Sequence, residues 1–148
     1  MSEVTENLLS SIPTGAEIHD PREGEHTEAQ LFAVEVVDQS NGPALKLTYN
    51  NMVDSEGRNF EHQERYTIPT SASEQFIQGM FLNLLHEIGI VPRTSKKCPL
   101  FDAEADRGTL VDAFNTRIGA NIPLRLKIDD KSGYMRSRIL RQKVSKAA

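Results

Sequence analysis

The stretch IPLRLKIDDKSGYMRSRILR, residues 122–141, decides the fold. Ile122, Leu124, Leu126 and Ile128 alternate with Arg125 and Lys127, the period-2 pattern of a half-buried strand. Asp129-Asp130-Lys131-Ser132-Gly133 supplies turn chemistry. On the return strand Met135 and Ile139 share one parity, and Tyr134, Arg136 and Arg138 share the other. Keeping both apolar sets on one face predicts a hairpin that pairs Leu126 with Met135 and Ile122 with Ile139. That register sets Lys127 opposite Tyr134 and Arg125 opposite Arg136. Like charges directly opposite across a sheet destabilise it, so the cationic face predicts an anionic second party, such as a phosphate backbone.

Composition narrows the classes. A chain of 148 residues is one domain by size and long enough to bury a real core. Its 38% hydrophobic and 26% charged content is that of a soluble globule. No apolar run approaches the ~18 residues of a membrane helix, so no membrane partner is expected. MSEVTENLLSSIP at the N-terminus lacks the basic and apolar regions of a signal peptide. Cys98 is the single cysteine, which excludes a disulfide framework and a cysteine-based zinc site and points to a reducing, cytoplasmic setting.

The net charge of −4 conceals a polarity along the chain. Residues 1–30 hold seven acids (Glu3, Glu6, Glu17, Asp20, Glu23, Glu25, Glu28) against Arg22. Residues 125–148 hold eight bases against Asp129 and Asp130. Such asymmetry predicts a nucleic-acid or partner surface at the basic end and a competing or solvating segment at the acidic end. Two soluble tails are the alternative.

Residues 1–29 contain Pro13, Gly15, Pro21 and Gly24, many acids and few aliphatics, so they read as an acidic flexible N-terminal arm. Within it Leu8, Leu9 and Ile12 suit a short helical turn. The arm is expected to be mobile or to lie over the basic hairpin. From Leu31 the pattern turns to strands. LFAVEVVD (31–38) puts Phe32, Val34 and Val36 on one face, and ALKLTYN (44–50) does the same with Leu45, Leu47 and Tyr49. FEHQERYTI (60–68) is a third strand, in which Phe60, Tyr66 and Ile68 share parity with His62 and Glu64, predicting a solvated or bulged beginning. Ser71 and Glu74 form a capping box for a helix over 71–89. Its wide apolar stripe is Phe76, Ile77, Met80, Phe81, Leu84, Leu85 and Ile88, stopped by Gly89 with Pro92 beyond. A weaker helix is predicted near 108–118 before the closing hairpin. One core is expected, drawing on Phe32, Val34, Val36, Leu45, Leu47, Phe76, Met80, Phe81, Leu84, Leu124, Leu126 and Ile139.

The order β-β-β-α-β-β predicts a mainly β fold, a five-stranded OB-like barrel spanning residues 30–141 with a basic tail at 142–148. An opener α+β sheet is the alternative. In its layout the chain resembles small phage-encoded single-stranded-DNA-binding proteins of the OB type. The resemblance runs over roughly residues 31–141, through the LKLTYN strand, YTIP, the LLHEIGI helix end and the basic YMRSRI strand. It implies binding of single-stranded DNA, or RNA, in phage replication or recombination within a host cytoplasm. It leaves a homo-oligomer open. Such proteins often end in an acidic tail that recruits replication partners, whereas this chain ends RQKVSKAA. Recruitment of replication or recombination proteins would therefore fall to acidic residues 1–29.

OB-folds bind through strands 2 and 3 and the loops between strands 1–2 and 4–5. Here that means Lys46, Thr48, Asn50, Arg65 and Lys131, joined by Arg125, Lys127, Tyr134, Arg136, Arg138 and Arg141 of the closing hairpin. Cations neutralise phosphates while an aromatic stacks on a base. Tyr134 is the one clearly outward aromatic, with a rim-covering role as its alternative; the arginines can equally protect a solvated edge. Histidines 19, 26, 62 and 86 fit no zinc spacing, and His86 suits the negative end of a helix dipole. Lys96 and Lys97 beside Cys98 are placed to lower its thiol pKa, but no nucleophile's partner set, phosphate loop or dinucleotide motif is present. No cofactor and no enzyme activity are expected. The competing function is a protein-binding adaptor, inhibitor or virion component built on the same barrel.

Overall fold

In a computed structural model, residues 20–140 are described except 41, 72, 99, 103 and 104. The elements are β1 (Gly24–His26), β2 (Gln30–Gln39), β3 (Gly42–Val53), β4 (Asn59–Thr67), α1 (Gln75–Ile88), α2 (Arg107–Asn115), β5 (Leu124–Ile128) and β6 (Met135–Ile139). They form two antiparallel three-stranded sheets, ordered β2-β3-β4 and β1-β5-β6. Among the described residues the fold is mainly β, with two helices. Two corrections follow. Residues 24–26 form a strand and Ala29 is fully buried, so the boundary at residue 29 falls inside the folded unit; residues 1–19 and 142–148 lie outside the described residues.

The second correction concerns the barrel, which is not a closed five-stranded one. One seam is made by backbone bonds between the start of β2 and residues 119–122: Leu31 N–H to Ala120 O at 3.1 Å, Gly119 N–H to Leu31 O at 2.7 Å and Ile122 N–H to Ala29 O at 2.7 Å. Gln30 and Asn121 form an isolated bridge there. Pro123 follows at once, and without an N–H it offers no donor to carry a ladder onward. The other seam, between β4 and β6, is crossed by the Glu64 side chain instead of by strand pairing.

Bulges decide which side chains reach the core. The β2–β3 register shifts between Leu31 and Ala33, so Leu31 is buried and Phe32 is 51% exposed. Val34 and Val36 still pack against the core, together with Ile139. A second shift between Tyr49 and Met52 brings Asn51 to φ 60, where its amide donates to Glu28 O at 2.9 Å.

Helix α1 begins later than predicted because only half of the capping box forms. Glu74 Oε1 accepts the Ser71 amide at 3.1 Å, but Ser71 Oγ takes the Ser73 amide. At the other end Gly89, with φ 89, closes the helix, and Ile90 N–H reaches back to Leu85 O at 2.8 Å. The predicted stripe is wider than the core can cover. Phe81, Leu84, Leu85 and Ile88 are buried, whereas Phe76 is 80% and Met80 54% exposed, contrary to their predicted core role. Helix α2 buries Leu110 and Phe114 and is tied to β2 by Arg107 and Asp38, 2.7 Å apart.

Candidate nucleic-acid interface

Asp129 organises the closing hairpin. Its carboxylate accepts the Ser132 amide at 3.2 Å and hydroxyl at 2.8 Å, and the Ser132 hydroxyl holds its pKa below the ordinary carboxylate range. Gly133 sits at φ 75 and donates to Asp129 O at 2.7 Å, while Asp129 N–H donates to Tyr134 O. Gly133 is thus the left-handed position of the turn rather than a strand residue. The register consequently differs by two residues from the predicted one: Leu126 faces Ser137, Leu124 faces Ile139 and Ile128 faces Met135. A shift of two keeps every side chain on its expected face.

The outward face carries two directly opposed like-charge pairs, Arg125 with Arg138 and Lys127 with Arg136, all four exposed. On the far side of β5, Glu25 of β1 stands opposite Arg125 and forms an ion pair with it. Residues 24–26 of the predicted acidic arm are therefore an edge strand paired beside β5. Tyr134 is not opposite Lys127 as predicted; it stands just before β6 and is 74% exposed.

Beside this face, β4 and the start of β6 border an open groove of about 980 Å³. Arg22, Gln39, Gln63, Arg65, Tyr134 and Arg136 line it, with Glu61, His62 and Glu64 along the β4 side. Arg65 is exposed and its guanidinium donates to Gln39 at 3.3 Å. Arg22 is held by Asp20 at 2.7 Å; the Arg22 guanidinium pulls the Asp20 carboxyl down to about 2.

The remaining predicted residues are placed otherwise. Lys46 stands between Glu35 and Arg65 across the sheet, pairs with Glu35 at 3.2 Å and does not line the groove. Thr48 is buried and Asn50 half-buried, so neither offers an open contact. Lys131 is exposed in the turn. Arg141 lies outside the described residues.

The predicted irregular beginning of β4 is the register shift opposite Phe60 and His62, whereas Glu64, further along, is 7% exposed. Its Oε1 accepts the Ser137 amide at 2.7 Å and hydroxyl at 2.9 Å, and its Oε2 lies 3.2 Å from Arg136 Nε. Burial pushes its pKa up, but His62, Ser137 and Arg136 outweigh that and leave it lowered. His62 is also buried; its Nε2 lies 3.5 Å from Glu64 Oε1 and has no well-formed hydrogen bond among the described residues. The signal for Glu64 was present in the sequence, as an acid on the apolar parity between Phe60 and Tyr66. Arg22, Gln39 and Gln63 carried none, since only the tertiary fold brings them to the hairpin.

Other groups are accounted for by structure. Tyr49 and Tyr66 are core-side, with hydroxyls 3.4 Å apart, and burial raises Tyr66 to about 12. His86 Nε2 is 2.8 Å from Ser95 O, tying α1 to the following loop. Burial raises the Cys98 pKa, so the neighbouring lysines do not activate it as predicted. Among the described residues no cluster of His, Cys, Asp and Glu is built to hold a metal, and no helix is long and apolar enough to cross a membrane. No protein-family model matches the chain, and none of the curated proteins compared with it does.

Proposed function

We propose that this protein is a non-enzymatic single-stranded nucleic-acid-binding protein. The strand runs over the outward face of the β5–β6 hairpin and into the groove beside β4. The observation that carries the reading is the pair of opposed cation rows, Arg125 with Arg138 and Lys127 with Arg136, exposed beside Tyr134. Glu25 and Glu64 offset only part of the repulsion on this face, and phosphates relieve the rest while an exposed ring stacks on a base. The succession of β2, β3, β4, two helices and a closing hairpin is similar to the layout of OB-type phage single-strand binders, which supports a role in phage replication or recombination.

Fluorescence anisotropy with a labelled single-stranded oligonucleotide tests this. Log K should fall linearly with log salt, by about 0.7 per phosphate neutralised. A flat response from low to physiological salt would falsify the reading. It would favour the second one, a protein-binding adaptor, for which the observation is the exposed Phe76 and Met80, one turn apart on α1.

A further inference from the structure

Glu64 is an unusual neighbour for a phosphate-binding face. It places a nearly buried carboxylate beside Arg136, in the groove proposed to hold a polyanion. The geometry resolves the conflict. Glu64 Oε2 forms an ion pair with Arg136 at 3.2 Å from Nε, while its other oxygen accepts the Ser137 amide and hydroxyl and lies 3.5 Å from His62 Nε2. The Arg136 side chain is 59% exposed and lines the groove. A guanidinium is planar and rigid. An ion pair to a carboxylate anchored on Ser137 holds that rigid group at the seam, beside the groove.

We propose that the β4–β6 seam holds a phosphodiester subsite, in which Glu64 is a positioning residue that aims the terminal edge of Arg136 at a backbone phosphate of the bound single strand. The anchor is well built for this task. Glu64 is held by a backbone amide of β6 itself, one residue from the arginine it orients, so its aim moves with the hairpin. Two parallel N–H···O bonds from a pre-oriented fork give both strength and direction, and a flexible point charge gives neither. The subsite rests on the nucleic-acid reading.

The test is anisotropy with labelled oligothymidylate at low salt, on folded variants of the full chain. Glu64→Gln keeps an oxygen for Ser137 but replaces the acceptor facing Arg136 with an amide group that cannot accept. Charge alone predicts that removing this anion tightens binding; positioning predicts weakening by about threefold to tenfold. Arg136→Lys keeps the charge without the fork and should lose a similar factor. In the Arg136→Lys background, Glu64→Gln should bring no further loss, because the coupled partner is already gone. Ser137→Ala removes one bond of the seam, leaves the Arg136 contact intact and should bind as the wild type does. Glu64→Gln binding as tightly as wild type or tighter overturns the subsite, as does Ser137→Ala losing as much as Glu64→Gln. Should Glu64→Gln not fold, Arg136→Lys decides alone: wild-type affinity overturns the subsite, and a loss close to that of Arg136→Gln supports it. A wild-type protein without salt-dependent binding would overturn the nucleic-acid reading itself, whereas a binding wild type with an indifferent Glu64→Gln overturns only the subsite.

Discussion

A carboxylate in a mostly apolar interior is costly unless its lone pairs are filled, and at Glu64 they are filled by Ser137 and Arg136. Its folded-state pKa lies below the ordinary 4.5. The sign follows by linkage: the contribution is complete above the unfolded value and is lost as pH falls through the lower folded one. Urea unfolding of wild type and Glu64→Gln across acidic pH should therefore give curves that converge as pH falls below about 4.5. A constant separation down to pH 2 would remove the linkage. Asp20, Asp38, Asp54 and Asp129 are also lowered, so the difference between the two proteins is the quantity to follow. The sequence put Glu64 on the core parity, yet an acid between two aromatics reads more readily as a bulge. Only its partner on β6, 73 residues away, makes it interior. Lys46 erred in the other direction, because its neutraliser Glu35 sits on a different strand.

At the level of elements, the hairpin was legible in strands, turn and faces, and illegible in register. Side-chain alternation fixes a register only to within two residues, and the final choice fell to Gly133 and Asp129 in the turn. The consequence is testable. With Arg136 opposite Lys127 rather than Arg125, Lys127→Glu should relieve the repulsion and add ~0.2–1 kcal/mol by urea unfolding. Arg136→Glu should instead lose stability, since it sets a second carboxylate against Glu64. The predicted register would have made Arg136→Glu the stabilising change, so stability measured on the two variants separates the registers. Helix α1 offers a parallel contrast. Periodicity placed it and its stop, but a stripe of seven apolar positions did not say which four the core would bury. Phe81→Ala or Leu84→Ala should cost about 2–5 kcal/mol, while Phe76→Ala, at 80% exposure, should stay within about 0.5 kcal/mol. Equal losses at Phe81 and Phe76 would mean that the exposed end of the helix is covered in solution. In β2 the single bulge at Phe32 exchanged that residue for Leu31, a swap no alternation pattern foretells.

On the scale of the whole molecule, the succession β2-β3-β4 and then β5-β6 was readable from the sequence, but β1 and the closure of the sheets were not. Closure depends on Pro123 ending one seam and on one side chain spanning the other, which are long-range events with no periodic signature. The charge polarity is where the sequence and the architecture meet most directly. The acidic segment is partly folded in, as β1, and its Glu25 pairs with Arg125 on the face proposed for phosphate. Deleting residues 1–29 would test competition poorly, since it would also remove β1 from the edge of β5 and the buried Ala29. Glu25→Gln isolates the charge. Both partners are half-exposed, so stability should change little, within about 1 kcal/mol. Arg125 would then face Arg138 without its counterion, and a phosphate would take the place of the lost carboxylate. Oligonucleotide affinity should rise about twofold to threefold at low salt, with a salt slope steeper by up to about 0.7. The gain should shrink towards physiological ionic strength, where screening falls to about 8 Å. Affinity unchanged at every salt concentration would mean that Glu25 holds β1 to the hairpin without competing for its ligand.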